Sequence, residues 1–204
     1  MNDFKTKSRV TFDSQAETYD YKVYGEHARK LYQPISERLE KIQYDSILDI
    51  GCGTGAILKK LLEQNHTIDA YGIDLSSNMI EVAKRKLNGS ANLLVGDAEN
   101  LPYNAHSFDV VMCTDSFHHY PDPDRVIREI YRVLCTRGTL ILSDCYQPTV
   151  SRFIMNLFMK YSKEGDIKIY SKNEIERLFH QNNFSTFSWG RVNNTSFIAI
   201  GKKE

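Results

Sequence analysis

The sequence predicts an α/β fold built on a parallel sheet covered on both faces. Three observations carry this. From Ser46 onward, short apolar runs rich in β-branched residues alternate with longer segments of helical period. A glycine-rich turn, with Gly51, Gly53 and Gly55 inside "LDIGCGTGAILKKLL", sits where one apolar run ends and a helical pattern begins. Asp49, Asp74 and Asp97 fall at the ends of the first three runs, the carboxyl edge where open α/β sheets place their ligands.

Taken in order, residues 1–45 precede the first run and carry the stripes Ala28 and Leu31, then Ile35, Leu39 and Ile42. Pro34 interrupts them and either starts a second helix or kinks one. Strands are expected at 46–50, 70–73, 92–95, 108–113 and 139–143, each apolar enough to be buried on both sides. Between them Ile57, Leu58, Leu61 and Leu62 form one helical stripe, and Met79, Ile80, Ala83 and Leu87 a second. Val126, Ile127, Ile130, Val133 and Leu134 form a third, opened by "PDPD" with Asp122 or Asp124 at the N-cap. A capping box from Ser171 to Glu174 announces the last helix. Runs at 184–191 and 196–201, joined through "NN", then read as an antiparallel hairpin at one sheet edge.

A chain of 204 residues without repeats or linkers suits a single domain. Lys plus Arg and Asp plus Glu both number 26, so no net field points to nucleic acid, an anionic membrane or an acidic partner, although a local patch is compatible with that balance. Cys52, Cys113, Cys135 and Cys145 form no Cys-x-x-Cys pair, and three lie in apolar segments, which suggests a reducing cytoplasm. The N-terminus has no apolar leader segment and no run approaches the roughly 18 residues a membrane span needs. A soluble, unprocessed cytoplasmic protein is expected.

The glycine turn lets a ligand approach the backbone and a helix N-terminus. "GCGTGAIL" lacks the Gly-Lys-Ser/Thr ending of a phosphate-binding loop, so phosphoryl transfer is disfavoured. "GCGTGA" does satisfy the dinucleotide pattern with Ala56 last, and Asp74 sits near the spacing of a ribose-binding acid. Two cofactor types therefore stand. Asp49 beside the turn suits a cationic ligand better than a pyrophosphate, unless it hydrogen-bonds the turn's own backbone. Asp97 could accept a hydrogen bond from an exocyclic amine, or cap the next element. A nicotinamide-dependent oxidoreductase would more commonly place the turn near its start and carry a Tyr-x-x-x-Lys pair, which this chain lacks.

"LDIGCGTG", "YGIDLSSNMIEVAKRK", "GDAENLPY" and "FDVVMCTDSFHHYPDPDRVIREIYRVLCTRGTLILSD" occur in that order. With these motifs the chain resembles the class I S-adenosylmethionine-dependent methyltransferases, in particular the small-molecule branch with the ubiquinone/menaquinone-biosynthesis type enzymes. The resemblance implies a three-layer Rossmann-like fold with seven strands, mostly parallel, the last inserted antiparallel. It implies that Gly51 and Gly53 pack on the methionine part of S-adenosylmethionine, that Asp74 grips the ribose with Leu75 beside it, and that Asp97 with the Ala98 backbone meets the adenine amine. Met79 matches a position that packs on adenine, or is plain helix core. Thr114 and Asp115 are placed to touch the methionine end, and "FDSQAETYD" resembles a cover whose Tyr19 reaches the cofactor. The resemblance divides the domain into a helical cover (1–45), a cofactor-binding core (46–145), an acceptor-site insertion (146–170), and a C-terminal helix and hairpin (171–204). A non-catalytic module that keeps the cofactor fold for binding is a third reading.

Methyl transfer needs the acceptor atom, methyl carbon and sulfur in line, so positioning can carry much of the rate. His118 and His119, in the loop after the fourth strand, are the candidate catalytic bases, with loop bracing as the competing role. In "SRFIMNLFMKYSKEG" the stripe Phe153, Ile154, Leu157, Phe158 and Tyr161 faces an apolar acceptor, or else is core or a dimer contact. Neither the Asn/Asp-Pro-Pro-Tyr/Phe nor the Pro-Cys motif of nucleic-acid methylation occurs, and "SDCY" stands where a metal-dependent catechol enzyme would carry Asp-Asn. The expectation is a monomer or homodimer acting on a small molecule, without metal, nucleic acid or membrane insertion.

Overall fold

The computed structural model describes residues 3–204. Helices α1 (Asp3–Gln15) and α2 (Glu26–Leu39), linked by the 3₁₀ turns Ala16–Thr18 and Val23–Gly25, precede the sheet. Then follow β1 (Ser46–Ile50), α3 (Ala56–Gln64), β2 (Asp69–Asp74), α4 (Ser77–Leu87), β3 (Asn92–Val95) and β4 (Phe108–Thr114). A 3₁₀ turn at Phe117–His119 leads to α5 (Pro123–Val133) and β5 (Leu134–Cys145). Helix α6 (Thr149–Phe158) runs into a 3₁₀ turn, Met159–Tyr161, before α7 (Lys172–Gln181), β6 (Phe184–Arg191) and β7 (Ser196–Lys203).

The seven strands form one sheet in the order β3-β2-β1-β4-β5-β7-β6. Strands β1 to β5 are parallel, and β7 pairs antiparallel with both β5 and β6. The expected hairpin thus lies at the sheet edge with its last strand inserted inward. Period-two alternation divides each inner strand between two cores. Leu48, Val111 and Leu142 face the layer of α5 and α7, whereas Ile47, Val110 and Ile141 face α2, α3 and α4. Strands so enclosed read as continuous apolar runs. Strand order reverses at β1, whose neighbours are β2 and β4, and a crevice opens at their carboxyl ends.

Local signals set most boundaries. Ser76 accepts from Met79 N at 3.1 Å to cap α4, Asp122 rather than Asp124 accepts from Arg125 N at 3.0 Å to cap α5, and both halves of the Ser171/Glu174 box form. Pro34 lies inside a single α2, because the buried Leu31 and Ile35 on either side hold the helix against the sheet, and Ile42 falls beyond its end. Leu134 is not the last residue of α5: it is extended (φ −65°, ψ 137°) and opens β5 by pairing with Phe108, so that strand starts five residues before the expected one. Helix α6 forms where the stripe predicts a helix but buries no residue. Its stripe is not core. No described helix is long and apolar enough to cross a membrane.

Candidate active site

The three glycines of the turn are required for three different reasons. All have positive φ (+69°, +50° and +70° for Gly51, Gly53 and Gly55), where a Cβ is strained. A Cβ on Gly51 would lie 2.5 Å from Ser116 Oγ, so this glycine makes room for the β4 loop. One on Gly55 would lie 2.8 Å from Leu87 Cδ1, so this glycine lets α3 and α4 approach. Around Gly53 nothing lies within 4 Å: it alone leaves its space to the crevice. Gly55→Val is therefore expected to lower the melting temperature by clashing with α4. Gly53→Val, facing open space, should lose S-adenosylhomocysteine affinity with a much smaller thermal effect. Unfolding scans and calorimetry on the two variants check this, and a reversed order would overturn the assignment.

Asp74, at the end of β2, holds the turn. Its Oδ2 accepts from Gly53 N and its Oδ1 from Ser76 N, both at 2.8 Å. Burial raises its pKa against these two hydrogen bonds. Asp49 does not bond the turn backbone. It is buried, its Oδ1 has no hydrogen-bond partner, and burial together with Asp74 pushes its pKa well above the usual carboxylate range. Thr114 Oγ1 is a second buried oxygen without a partner. A buried carboxylate is tolerated only with compensation, and a cation supplied by a ligand is one such compensation. Asp97 accepts from Glu99 N at 3.0 Å, a local cap, and from Lys5 Nζ at 2.7 Å.

These side chains line one crevice of about 920 Å³, part of it open to solvent. Tyr19, Asp49, Gly51, Gly53, Asp74, Leu75, Met79, Asp97, Ala98, Thr114 and Asp115 all lie on its wall. Met79 both lines the crevice and belongs to the buried core. Lys5, Ser8 and Phe12 of α1 and Tyr32 of α2 complete the wall. Helix α1 is pinned over the crevice by Asp13, which accepts from Ser76 Oγ at 2.6 Å and Asn78 N at 3.2 Å.

Asp115 takes a positive φ of 53° and its Oδ1 lies 2.5 Å from Nδ1 of His27. Burial opposes charge on His27, but the bond to Asp115 prevails and raises its pKa. His27 also reaches Thr195 O and Ser196 Oγ, at 3.1 and 2.9 Å, so α2 ties the β4 loop to the start of β7. Nothing in the sequence pattern marks His27, Tyr32 or Lys5, because each meets the site through contacts between distant segments.

The two candidate bases occupy different settings. His119 lines the crevice, whereas His118 does not. His118 Nδ1 lies 2.6 Å from Asp144 Oδ1, and its backbone N donates to Asp144 Oδ2 at 3.0 Å. Burial works against protonation of His118, but Asp144 outweighs it and lifts the pKa to about 10. His119 is pushed down to about 4 by burial and by its charged neighbour, the ring centroids being 4.0 Å apart. Its Nδ1 is 3.1 Å from Asp166 Oδ1 without hydrogen-bond geometry, and Phe12 packs edge-on at 5.2 Å. His118, His119 and Asp166 bring their donor atoms within 4.8 Å of one another, as do His118, Asp144 and Cys145. The Asp144 contact already occupies His118 Nδ1.

A family model described as a methyltransferase domain matches residues 48–142. A demethylmenaquinone methyltransferase of Thermotoga maritima is 32% identical over 165 residues, covering 78% of this chain and 71% of that protein. A chloroplastic 2-methyl-6-phytyl-1,4-hydroquinone methyltransferase of Oryza sativa subsp. japonica is 39% identical over 128 residues, 59% of this chain and 37% of its own length. Among solved structures, a SAM-dependent methyltransferase from Thermotoga maritima superposes with a TM-score of 0.75 at 20% identity, covering 97% of this chain and 100% of that one. The crevice fits S-adenosylmethionine on its own evidence: partnerless oxygens on Asp49 and Thr114 await donors, and Gly53 leaves the cradle clear. The methyltransferase relatives support this cofactor over the nicotinamide alternative. The chain belongs to the class I S-adenosylmethionine-dependent methyltransferases that act on small molecules.

Proposed function

We propose that this enzyme methylates an aromatic acceptor of the hydroquinone type carrying an apolar tail. The observation that carries the cofactor half of this reading is the buried Asp49, whose Oδ1 has no hydrogen-bond partner, on one wall with Gly53, Asp74 and Asp97. The acceptor half is supported by the quinone-type names of the related enzymes above.

In this reading Thr114, Asp115 and Asp49 take the amino-acid end of S-adenosylmethionine, and Asp74 accepts from the ribose hydroxyls with Leu75 beside it. Met79 packs on the adenine, and Asp97 and the Ala98 backbone meet its amine, sharing one Asp97 oxygen with Lys5. Tyr19 and Phe12 close the crevice from the helical cover. Bound there, the cofactor supplies an electrophilic methyl group on a sulfonium. The enzyme's part is to exclude water and hold the acceptor in line. A hydroquinone hydroxyl must also shed its proton as the ring becomes nucleophilic. His119 is the imidazole on the crevice wall, and being neutral it can accept that hydrogen bond. The protonated His118 cannot act as a base while Asp144 holds it. A base with so depressed a pKa contributes modestly, so positioning carries most of the rate.

Two measurements test this. S-adenosylhomocysteine should raise the melting temperature and NAD should not. Micromolar binding corresponds to about 8 kcal/mol. With labelled S-adenosylmethionine, tailed hydroquinones should accept methyl groups ahead of amines, thiols and carboxylates. Transfer confined to amines or thiols would overturn the acceptor assignment and leave the cofactor assignment standing.

A further inference from the structure

Helix α6 is built inside out. Its half-buried residues Arg152 and Asn156, with Met159 of the turn after it, recur at the spacing of one helix face and include its polar anchors. Asn156 donates to Ile169 O at 3.1 Å and accepts from Ile169 N at 2.9 Å, and Arg152 donates to Gln147 O at 3.1 Å. The opposite face carries Val150, Phe153, Ile154, Leu157, Phe158 and Tyr161, each 50–72% exposed. A continuous apolar patch of this kind on a folded chain marks an interaction surface.

Charge decides what covers it. The chain as a whole is balanced, yet from Cys145 to Lys163 there is no acidic residue; the cations at the patch are Lys160 and Lys163, Arg152 lying on the anchoring face, and the first acid after them is the half-buried Glu164. Lys160 and Lys163 are exposed, and Lys160 Nζ lies 5.0 Å from the Tyr161 ring centroid at the end of the patch. A second copy docked on a two-fold axis would set these cations against themselves with no acid on the patch to offset them. An anionic bilayer offers the opposite sign together with hydrocarbon. Apolar side chains sink below the headgroups while lysines stay among them, their stems lying along the apolar surface. With ten residues and a 3₁₀ turn, the segment extends about 15–20 Å, too short for a hydrocarbon core of about 30 Å but long enough to lie flat in its surface.

We propose that α6 and the turn after it form a peripheral docking surface for anionic lipid bilayers. The same segment continues to the roof of the crevice. Lys163 O accepts from Thr11 Oγ1 at 3.0 Å, and a Cβ on Gly165 would lie 2.5 Å from Phe4 O, so the chain passes directly against α1. Asp166 then reaches the crevice-lining His119. A membrane engaged by α6 thus lies next to the cover under which an apolar acceptor would enter. That use rests on the proposed hydroquinone reading, whereas docking itself does not.

Flotation of the full chain with vesicles tests it without any methyl acceptor. The protein should float with phosphatidylglycerol vesicles, less with phosphatidylcholine vesicles, and lose the difference in high salt. Phe153→Ser with Leu157→Ser should reduce binding at least tenfold while leaving the S-adenosylhomocysteine thermal shift intact, showing that the fold survives. Lys160→Glu with Lys163→Glu should abolish the preference for phosphatidylglycerol. The proposal is overturned if the wild type does not float, or if binding survives the serine pair. It is equally overturned if light scattering finds a dimer that those serines dissolve. Loss of hydroquinone methylation in every assay would sink the acceptor assignment but leave flotation unchanged.

Discussion

Asp74→Ala is expected to weaken S-adenosylhomocysteine binding by about 10²- to 10⁴-fold. In the proposed arrangement two ribose hydroxyls donate to the Asp74 carboxylate; such bonds contribute about 1.5–3 kcal/mol each, and about 1.4 kcal/mol corresponds to tenfold. The structure adds a second loss in the same direction. Asp74 also accepts from Gly53 N and Ser76 N, so its removal frees the turn that shapes the crevice floor. Asp122→Ala is the matched control. It removes an N-cap bond to Arg125 N on α5, where about 1 kcal/mol of stability and no affinity should be lost. Asp74→Asn, which keeps the shape and one acceptor oxygen, should fall between the two. Calorimetry on the three folded variants decides, and equal affinities for Asp74→Ala and Asp122→Ala would show that the ribose lies elsewhere.

The parts of the fold legible in the sequence are those whose physics is local. Strands enclosed on both faces must be apolar throughout, so β1 and β4 stood out as runs. The acids at the ends of β1, β2 and β3 stood out because each belongs to a short motif beside a strand end. Leu134 is ambiguous in the sequence because an apolar residue after α5 satisfies either element, and only its pairing with Phe108 decides. The α6 stripe declared a face that prefers to leave water, but not whether the protein itself covers that face. The glycines were recognisable as a group, yet the requirement at Gly51 depends on Ser116, which lies sixty-five residues along the chain. The same distance hides the partners that adjust charge. His27 meets Asp115, Lys5 meets Asp97 and His118 meets Asp144 across the fold, and no spacing rule relates the members of these pairs.

The pairing with Asp144 makes His118→Ala the most destabilising of the changes considered. Asp144 is almost fully buried, and removing its cationic partner leaves a buried charge held only by the backbone N–H groups of residue 118 and Cys145, a change that costs about 3–5 kcal/mol. For a chain of this length each kcal/mol moves the melting temperature by about 2–4 °C, so a drop of about 6–20 °C is expected. The pH dependence has a definite sign. His118 is raised from its ordinary value of 6.5 to about 10, so its contribution is complete below pH 6.5 and is lost as pH rises through about 10. His27, also raised, shares that alkaline limb. His119 is depressed to about 4 and acts in reverse: its preference for the neutral form weakens the fold as pH falls from 6.5 toward 4. Asp144, held low by His118, adds to the loss in acid. Wild-type stability should therefore peak near neutrality, and His118→Ala should flatten the alkaline limb between pH 7 and 10. His119→Asn removes no ion pair to Asp144 and should melt close to wild type. If His119 takes the acceptor's proton, this variant keeps its S-adenosylhomocysteine affinity and loses turnover, by no more than about 10²-fold for so weak a base. Parallel loss of affinity and melting temperature in His119→Asn would instead make the imidazole a brace for the β4 loop. The acceptor's proton would then leave to solvent before methyl transfer, and the turnover of His119→Asn would follow the acceptor's own ionisation.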